Sequence, residues 1–329
     1  GSTAGKTMGL SAYGRVRPEW VASARKYVRE YAKRPPFDVT GLRNYGKAHR
    51  INPVGLEDLP EFRAFLEPMK QDSNKGIRQT VKNILGPPQY ELRLPGPEHE
   101  LSQDLAQTVQ HAWTKEVTTL LANHRDISRN LCVVGGCALN GITNYRIEEE
   151  GLFQQCHFVP NPTDCGLSAG AALYAYFQLG VQTFTGTKQF FSPYLGTEAF
   201  DLADLPTLKQ SYPHHELQPD HIPRIIARLI HDNRLIGVIK GRYEIGPRAL
   251  GNRSILCNPL NSGMRALLND KVKHREWYRP FAPVVTAEDV SQYFTTEVDI
   301  PYMSVICHTR PEYREQLPSI THVDGSARV

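Results

Sequence analysis

The stretch from Gly241 to Pro283 contains residues whose types and spacing suit anion binding. Its first fourteen residues, Gly241–Ser254, hold three arginines and three glycines directly after an apolar segment. Guanidinium groups present parallel N–H donors that match two oxygens of a phosphate or carboxylate, and glycines let the backbone approach closely. More basic residues follow, among them Lys271, Lys273, Arg275 and Arg279. The pattern favours phosphate or carboxylate recognition, with a solvated charged surface as the alternative.

Arg279 stands immediately before the segment Pro280-Phe281-Ala282-Pro283. Proline restricts its own φ angle and the conformation of the residue that precedes it. We therefore expect Arg279 to be held in place at little entropic cost.

A second candidate is the pair Gly135-Gly136, which follows an apolar segment and precedes a predicted helix near Asn140. Glycines at the start of a helix expose free N–H groups in a positive potential, which is a common phosphate site. A plain tight turn between strand and helix is the alternative.

Asp164 lies between a predicted strand and a predicted helix. Its carboxylate either caps the helix or points into a cleft and binds a divalent cation. The N-terminal segment Gly1–Thr7 resembles a P-loop, but only three residues separate its glycines and nothing precedes it. A P-loop needs four residues there and a preceding strand, so we do not assign one.

The elements that must position these residues alternate between helix and strand, which predicts an α/β layer structure. Apolar residues that recur every three or four positions predict a core-facing side of the first clear helix: Leu101, Leu105, Val109, Trp113, Val117, Leu120 and Leu121. The predicted helices are 98–124, 139–150, 166–179 and 222–233, and the predicted strands are 130–134, 156–159, 235–239, 282–286 and 303–307.

The chain has 329 residues, which predicts two domains. Breakers and weak periodicity place the boundary near residue 200, giving domains 1–200 and 201–329. Residues 25–95 are proline-rich and read as an irregular insertion with short helices.

Composition excludes several classes of protein. The hydrophobic fraction of 40% and the charged fraction of 22% are those of a globular protein, and the net charge of +4 suits a small anionic substrate without supporting nucleic acid. Six cysteines without a CxxC pair predict reduced, mostly buried thiols. Because no segment has the length of a membrane span or the apolar core of a signal peptide, we expect a cytoplasmic protein without membrane contact.

Seven segments, in order, resemble the O-carbamoyltransferases of nodulation-factor and antibiotic biosynthesis. The hallmark is Gly246-Pro-Arg-Ala-Leu-Gly-Asn-Arg-Ser-Ile-Leu256. The other six segments are 8–14, 135–140, 164–173, 192–196, 279–283 and 321–328. The resemblance covers most of the chain except the stretch near 25–95.

The resemblance implies an actin/sugar-kinase-like first domain, similar to the universal tRNA-threonylcarbamoylation enzyme, and a YrdC-like α/β second domain. It implies that carbamoyl phosphate and ATP give a carbamoyl-adenylate in the second domain. The carbamoyl group then passes to the hydroxyl of a small-molecule or sugar acceptor at a metal-bearing site in the first domain.

The resemblance also assigns roles to individual residues. Those expected to bind carbamoyl phosphate and the polyphosphate are Arg248, Lys273, Arg279 and Arg328. Those expected to bind ATP are Gly135, Gly136, Asn140, Arg242 and Arg253. Asp164 is the expected ligand of a divalent metal, iron or another ion, and magnesium is compatible with ATP.

The chain departs from the family pattern in two places. Family members carry a paired-histidine motif upstream of the position where this sequence begins, and none of the twelve histidines here fits it. The asparagine-rich segment expected after Arg328 is also missing. We expect the remaining metal ligands to lie outside this sequence, which is compatible with a fragment, a processed product or an incompletely recorded chain.

Three other functions stay open at this point. The acceptor could be a hydroxylated base in nucleic acid or a tRNA adenosine. The chain could be a non-catalytic nucleotide-binding remnant. A sugar-kinase relative is the third, although it leaves the arginine-rich second domain without a role.

Overall fold

The computed structural model describes residues 3–32, 96–180, 192–199, 201–296 and 299–329. The chain forms two compact units, Gly1–Leu120 and Leu121–Val329. Most of the expected insertion at 25–95 lies outside the described residues. The domain boundary near residue 200 stays a prediction.

The first unit is helical where it is described. Its helices are α1 (Thr3–Ser11), α2 (Pro18–Ala32) and α3, which begins at Glu100 and extends to Ala122. The P-loop-like residues Gly5-Lys6-Thr7 lie inside α1 and form no loop. The helix predicted at 98–124 is confirmed as α3.

The predicted core face of α3 is wrong, because none of its seven apolar residues is fully buried. Asp104, Thr108 and Ala112 are buried instead. Asp104 Oδ1 accepts a hydrogen bond from Arg15 N at 2.7 Å, and Thr108 Oγ1 accepts one from Arg17 N at 3.0 Å. Small polar side chains occupy this face because the segment that covers it presents backbone N–H groups that need acceptors.

The second unit mixes short helices with short strands. Its helices are α4 (Gly141–Glu149), α5 (Leu167–Gln178), α6 (Leu205–Ser211), α7 (Ile222–His231), α8 (Met264–Leu267) and α9 (Val290–Tyr293). Single 3₁₀ turns lie at Gly136–Leu139, Asp164–Gly166, Leu202–Asp204, Pro219–His221 and Pro311–Tyr313, and a π-helical turn lies at Leu268–Val272.

The described strands pair into two-stranded sheets. The strands are β1 (Asn130–Val133), β2 (Gln155–Phe158), β3 (Ile236–Ile239), β4 (Arg253–Leu256), β5 (Cys307–His308) and β6 (Ser326–Ala327). Strands β1 and β2 are parallel, with Val133 opposite Phe158. Strands β3 and β4, and β5 and β6, are antiparallel. Mixed helix and small sheets agree with the α/β class, whereas the actin/sugar-kinase-like and YrdC-like domains stay predictions.

Two predicted strands are wrong. Residues 282–286 are irregular, and only Cys307–His308 of the region near 303–307 is a strand. Pro283 has no N–H to donate to a ladder. The polar groups of the second segment bond to α4 instead, because Ser304 O accepts from Asn144 Nδ2 at 2.6 Å and Ile306 N donates to Gly141 O at 3.1 Å.

The core of the second unit includes a buried cluster of Phe294, Cys307, Ile320 and Ala327. All six cysteines are free thiols, and Cys307 alone is fully buried, so the expectation of mostly buried thiols is wrong. None of the helices in the described ranges is long and apolar enough to cross a bilayer.

Candidate anion-binding site

The carboxyl ends of β1 and β2 lie at one edge of their parallel sheet, and the loop after each strand begins there. In open α/β sheets this edge is where ligands bind. The loop after β1 contains Gly135, whose φ of 83° lies in the left-handed region, and Gly136. A Cβ atom added at either glycine would meet no atom within 4 Å. The backbone of both residues is therefore accessible to a ligand.

Asn140 ends this turn and caps α4, because its Oδ1 accepts from Thr143 N at 3.1 Å. The buried Asn144 also fixes the turn, since its Nδ2 donates to Ala138 O at 2.8 Å. The sequence predicts Asn140 as a nucleotide contact, and the structure already uses its side chain as a helix cap.

The loop after β2 lies against the arginine-rich segment. Gly246 has a φ of 132°, and a Cβ atom there would lie 2.5 Å from Pro160 O. This approach is open only to glycine. It places the segment Gly246–Arg248 directly beside the loop that contains Asp164.

Asp164 is exposed and begins a 3₁₀ turn. No group of three or more His, Cys, Asp or Glu side chains with the spacing of a metal site occurs within the described ranges. Asp164 therefore belongs to no such group in this part of the chain, and a metal there would need further donors.

Three of the predicted arginines come together. Burial and the charge of Arg279 lower the pKa of Arg248. Burial and then the charges of Arg248 and Arg279 lower the pKa of Arg328 to about 9. Guanidinium groups depress one another's pKa values only when their charges lie close together, and an anion between them would remove that cost.

Arg275 belongs to the same cluster. The sequence alone indicates no role for it beyond its place in the basic stretch. Burial and the charges of Arg279 and Arg248 lower its pKa to about 10, while Glu276 acts in the opposite direction. Its guanidinium also lies over the ring of Phe281, 4.2 Å from the centroid. We call Arg248, Arg275, Arg279 and Arg328 the arginine cluster.

Arg328 connects the cluster to the loop after β1, and Arg248 keeps an N–H donor available for a ligand. Arg328 Nη2 donates to Leu139 O at 3.2 Å, in the turn that follows Gly135-Gly136. Nε of Arg248 is buried and has no hydrogen-bond partner among the described residues. Arg279 Nη1 lies 3.6 Å from Glu276 Oε2. A buried N–H without an acceptor costs about 1–3 kcal/mol, which a bound oxyanion would recover.

The remaining predicted arginines and lysine make other contacts. Lys273 is exposed. Arg242 donates to Gly196 O and Leu195 O, at 2.8 and 3.2 Å. Arg253 Nε donates to Glu244 Oε2 at 2.9 Å, and its guanidinium lies over the Tyr243 ring. The ATP-binding roles of Arg242 and Arg253 stay predictions, and both side chains already serve the local fold.

Asn269 is a residue that the sequence analysis missed. This fully buried amide lies in the π-helical turn, where its Oδ1 accepts from Arg275 Nε at 2.6 Å and its Nδ2 donates to Arg279 O at 3.0 Å. It thereby joins two arginines of the cluster. Single π-helical turns occur frequently at functional sites, but nothing in the local sequence indicates this one.

Tyr194 belongs to the segment 192–196, which resembles the family. Its Oη donates to Leu250 O at 2.7 Å. Backbone bonds join the same segment to the start of the arginine-rich stretch, since Ile245 N donates to Pro193 O at 2.7 Å and Gly196 N donates to Tyr243 O at 2.9 Å. The segment therefore supports the loop that carries Arg248.

A site of this kind can hold a small dianion and stabilise negative charge that develops on it. The arginine cluster supplies fixed positive charge, and the loops after β1 and β2 supply backbone beside it.

Two family models match the chain. The one described as the carbamoyltransferase N-terminus matches residues 1–173, and the one described as the carbamoyltransferase C-terminus matches residues 227–329.

Curated relatives match over 89% of this chain. Nodulation protein NolNO of Sinorhizobium fredii is 34% identical over 305 residues, which are 43% of its length. Nodulation protein NolO of Bradyrhizobium diazoefficiens is 34% identical over 305 residues, which are 53% of its length. Protein sll1178 of Synechocystis is 30% identical over 330 residues, again 53% of its length. The chain therefore spans about half the length of these relatives. Because both family models match in order along the sequence, the chain belongs to the carbamoyltransferase family.

Proposed function

We propose that this chain takes part in the ATP-dependent transfer of a carbamoyl group from carbamoyl phosphate, through a carbamoyl-adenylate, to a hydroxyl of a small-molecule or sugar acceptor. The observation that carries the proposal is the arginine cluster, where several guanidinium groups lie close together beside the loops of a parallel sheet. Such a cluster suits the phosphate of carbamoyl phosphate and the polyphosphate of ATP.

The chemistry explains why positive charge is needed. A carbamoyl-adenylate forms when an oxygen of carbamate displaces pyrophosphate from the α-phosphorus of ATP, and carbamate arises when water releases phosphate from carbamoyl phosphate. Both leaving groups gain negative charge as they depart. Arg248, Arg279 and Arg328 would bind these groups and stabilise the charge that develops.

The transfer step needs an activated acceptor hydroxyl, whose oxygen attacks the carbamoyl carbon while AMP leaves. A divalent ion bound by Asp164 could supply Lewis-acid chemistry there. Asp164 belongs to no group of three or more candidate ligands among the described residues, so we derive no step through a metal. Gly135 and Gly136 remain candidates for nucleotide contact.

The test is carbamoyl-phosphate-dependent ATP turnover by the purified chain, followed by mass spectrometry of candidate hydroxyl acceptors. We expect Arg248→Ala to reduce turnover by about 10- to 100-fold, because a charge-assisted hydrogen bond is worth roughly 1.5–3 kcal/mol. The matched control is Arg228→Ala, which removes an exposed guanidinium paired with Asp232 in α7. It should leave turnover unchanged.

Two results would be decisive against parts of the proposal. Full turnover by both Arg248→Ala and Lys273→Ala would contradict the assignment of the site to these residues. A wild-type chain that binds ATP without any turnover that depends on carbamoyl phosphate would contradict the function itself, since that is the behaviour expected of a nucleotide-binding remnant. A gain of one carbamoyl unit on an acceptor identifies the product.

A further inference from the structure

The carboxylate of Glu244 is enclosed by the loop that carries Arg248. Only 4% of the residue is exposed. Its Oε1 accepts hydrogen bonds from the N–H groups of Leu250 and Asn252, both at 2.8 Å, and its Oε2 accepts one from Arg253 Nε at 2.9 Å. A buried charge persists only when it is paired and hydrogen-bonded, and this one is both.

These bonds close the chain from residue 244 to residue 253 into a compact loop. Arg248 is at its middle. The loop is fixed on its outer side as well, because Asn252 Nδ2 donates to Arg242 O at 2.7 Å. The position of Arg248 therefore depends on a loop whose centre is the Glu244 carboxylate.

Glu244 does not itself serve as an anion ligand or as a counter-ion of the arginine cluster. A carboxylate would repel a bound phosphate, and the charge of Glu244 is matched by Arg253, 2.9 Å away. Both of its oxygens accept bonds from the loop. Any influence on a bound anion must act through the geometry of the loop.

We propose that Glu244 is a positioning residue, which fixes the loop 244–253 so that the guanidinium of Arg248 is held at the arginine cluster for binding the phosphate group of the substrate. The substrate assignment rests on the proposed function, whereas the positioning role concerns any phosphate bound there. Residues that orient metal ligands change affinity by about 10- to 100-fold when they are altered, and we take the lower end of that range for Glu244.

The experiment measures binding of inorganic phosphate to the purified chain by titration calorimetry. Glu244→Gln keeps the shape and the oxygen that faces Leu250 and Asn252, but places an amide N–H₂ against Arg253 Nε. We expect about 10-fold weaker phosphate binding. Arg248→Ala should weaken binding at least as much, and the double variant should bind no more weakly than Arg248→Ala alone, because Glu244 acts through Arg248.

The matched control is Glu116→Gln. Glu116 also accepts from guanidinium groups, those of Arg25 and Arg29, but it belongs to the unit Gly1–Leu120. It should lower thermal stability without changing phosphate affinity. Comparing melting temperatures of the two Gln variants separates loss of stability from loss of positioning.

The possible outcomes separate the positioning role of Glu244 from the proposed carbamoyl-transfer function. Equal phosphate affinity of wild type and Glu244→Gln overturns the positioning role, as does a double variant whose losses multiply. If Glu244→Gln weakens phosphate binding but wild type shows no carbamoyl-phosphate-dependent turnover, the positioning role stands and the proposed function falls. A wild-type chain that binds no phosphate overturns both.

Discussion

At the scale of single residues, an acidic and a basic group near the site have pKa values that shift in the same direction, with opposite consequences for their charged forms. Burial alone would raise the pKa of Glu244, but the N–H groups of Leu250 and Asn252 and the guanidinium of Arg253 outweigh it, and the pKa is lowered. The cationic Arg328 also has a lowered pKa, because burial and like charges oppose its ionisation. The carboxylate is therefore stabilised in its charged form, whereas the arginines are destabilised in theirs until an anion binds.

The shift at Glu244 predicts a pH dependence of stability. A carboxylate with a lowered pKa contributes stability that is fully present above its unfolded-state pKa of about 4.3 and is lost as pH falls through the folded-state value. The difference in unfolding free energy between wild type and Glu244→Gln should be constant from about pH 8 to about pH 5 and should shrink below that. Urea unfolding at a series of pH values measures it.

Glu148 provides the contrast for this experiment. Burial raises its pKa, with a smaller opposing effect from Cys156. The wild type should therefore gain stability relative to Glu148→Gln as pH falls below the raised value. Parallel trends in the two variants would contradict the assigned causes.

At the scale of elements, regular helices and strands could be predicted because their apolar periodicity is local. The segments observed as α3, α4, α5, α7, β1, β2 and β3 were predicted within a few residues of their observed bounds. Strand β4 was missed because it begins at Arg253, inside the basic stretch, and is defined by its pairing with β3. The core face of α3 was missed because polar contacts with a distant segment override the apolar pattern.

The residues of the candidate site could be predicted only in part. Arg248 and Arg279 could be proposed from sequence, since they lie in a basic, glycine-spaced stretch that suits anions and in segments that resemble the family. Glu244 and Asn269 could not, because a buried polar residue acquires its role from partners that only the folded chain brings together. The role of Lys273 stays a prediction, since its side chain is exposed in the structure.

The contact between Gly246 and the loop after β2 yields a prediction for an element. Gly246→Ala would place a methyl group 2.5 Å from Pro160 O at a φ of 132°, so the loop must shift at a cost of about 1–3 kcal/mol. We expect a lower melting temperature and weaker phosphate binding. Thermal unfolding and calorimetry measure the two effects.

Gly170→Ala is the matched control. Gly170 lies in α5, and a Cβ atom there would meet nothing within 4 Å. Alanine should raise helix stability by up to about 1 kcal/mol. Normal phosphate binding by Gly246→Ala would show that the close approach does not position Arg248.

At the scale of the whole molecule, the positive electrostatic potential at the arginine cluster is stronger than the net charge of +4 suggests. Mixed surface charges largely cancel elsewhere, whereas the arginine cluster gathers like charges in a half-buried region. Local charge of this kind resists screening better than exposed charge does. Anion binding should therefore be visible in the stability of the protein.

We expect inorganic phosphate to raise the melting temperature. At a concentration 100 times its dissociation constant, a ligand specific for the native state adds about 2.7 kcal/mol. For a chain of 329 residues, whose unfolding entropy is roughly 0.7 kcal/mol/K, that corresponds to roughly 4 °C. Differential scanning fluorimetry measures the shift, with sodium chloride at equal ionic strength as the control. An equal shift with chloride would indicate general salt stabilisation.

The hydrogen bond from Arg328 to Leu139 O joins residues 189 positions apart in sequence. Closing a loop of that length carries an entropic cost on the order of 5 kcal/mol, which must be met before the contact can contribute. Local helices form on a much shorter timescale than such closures. During refolding, helical circular dichroism should therefore return first, and the capacity to bind phosphate should appear in a separate, slower kinetic phase.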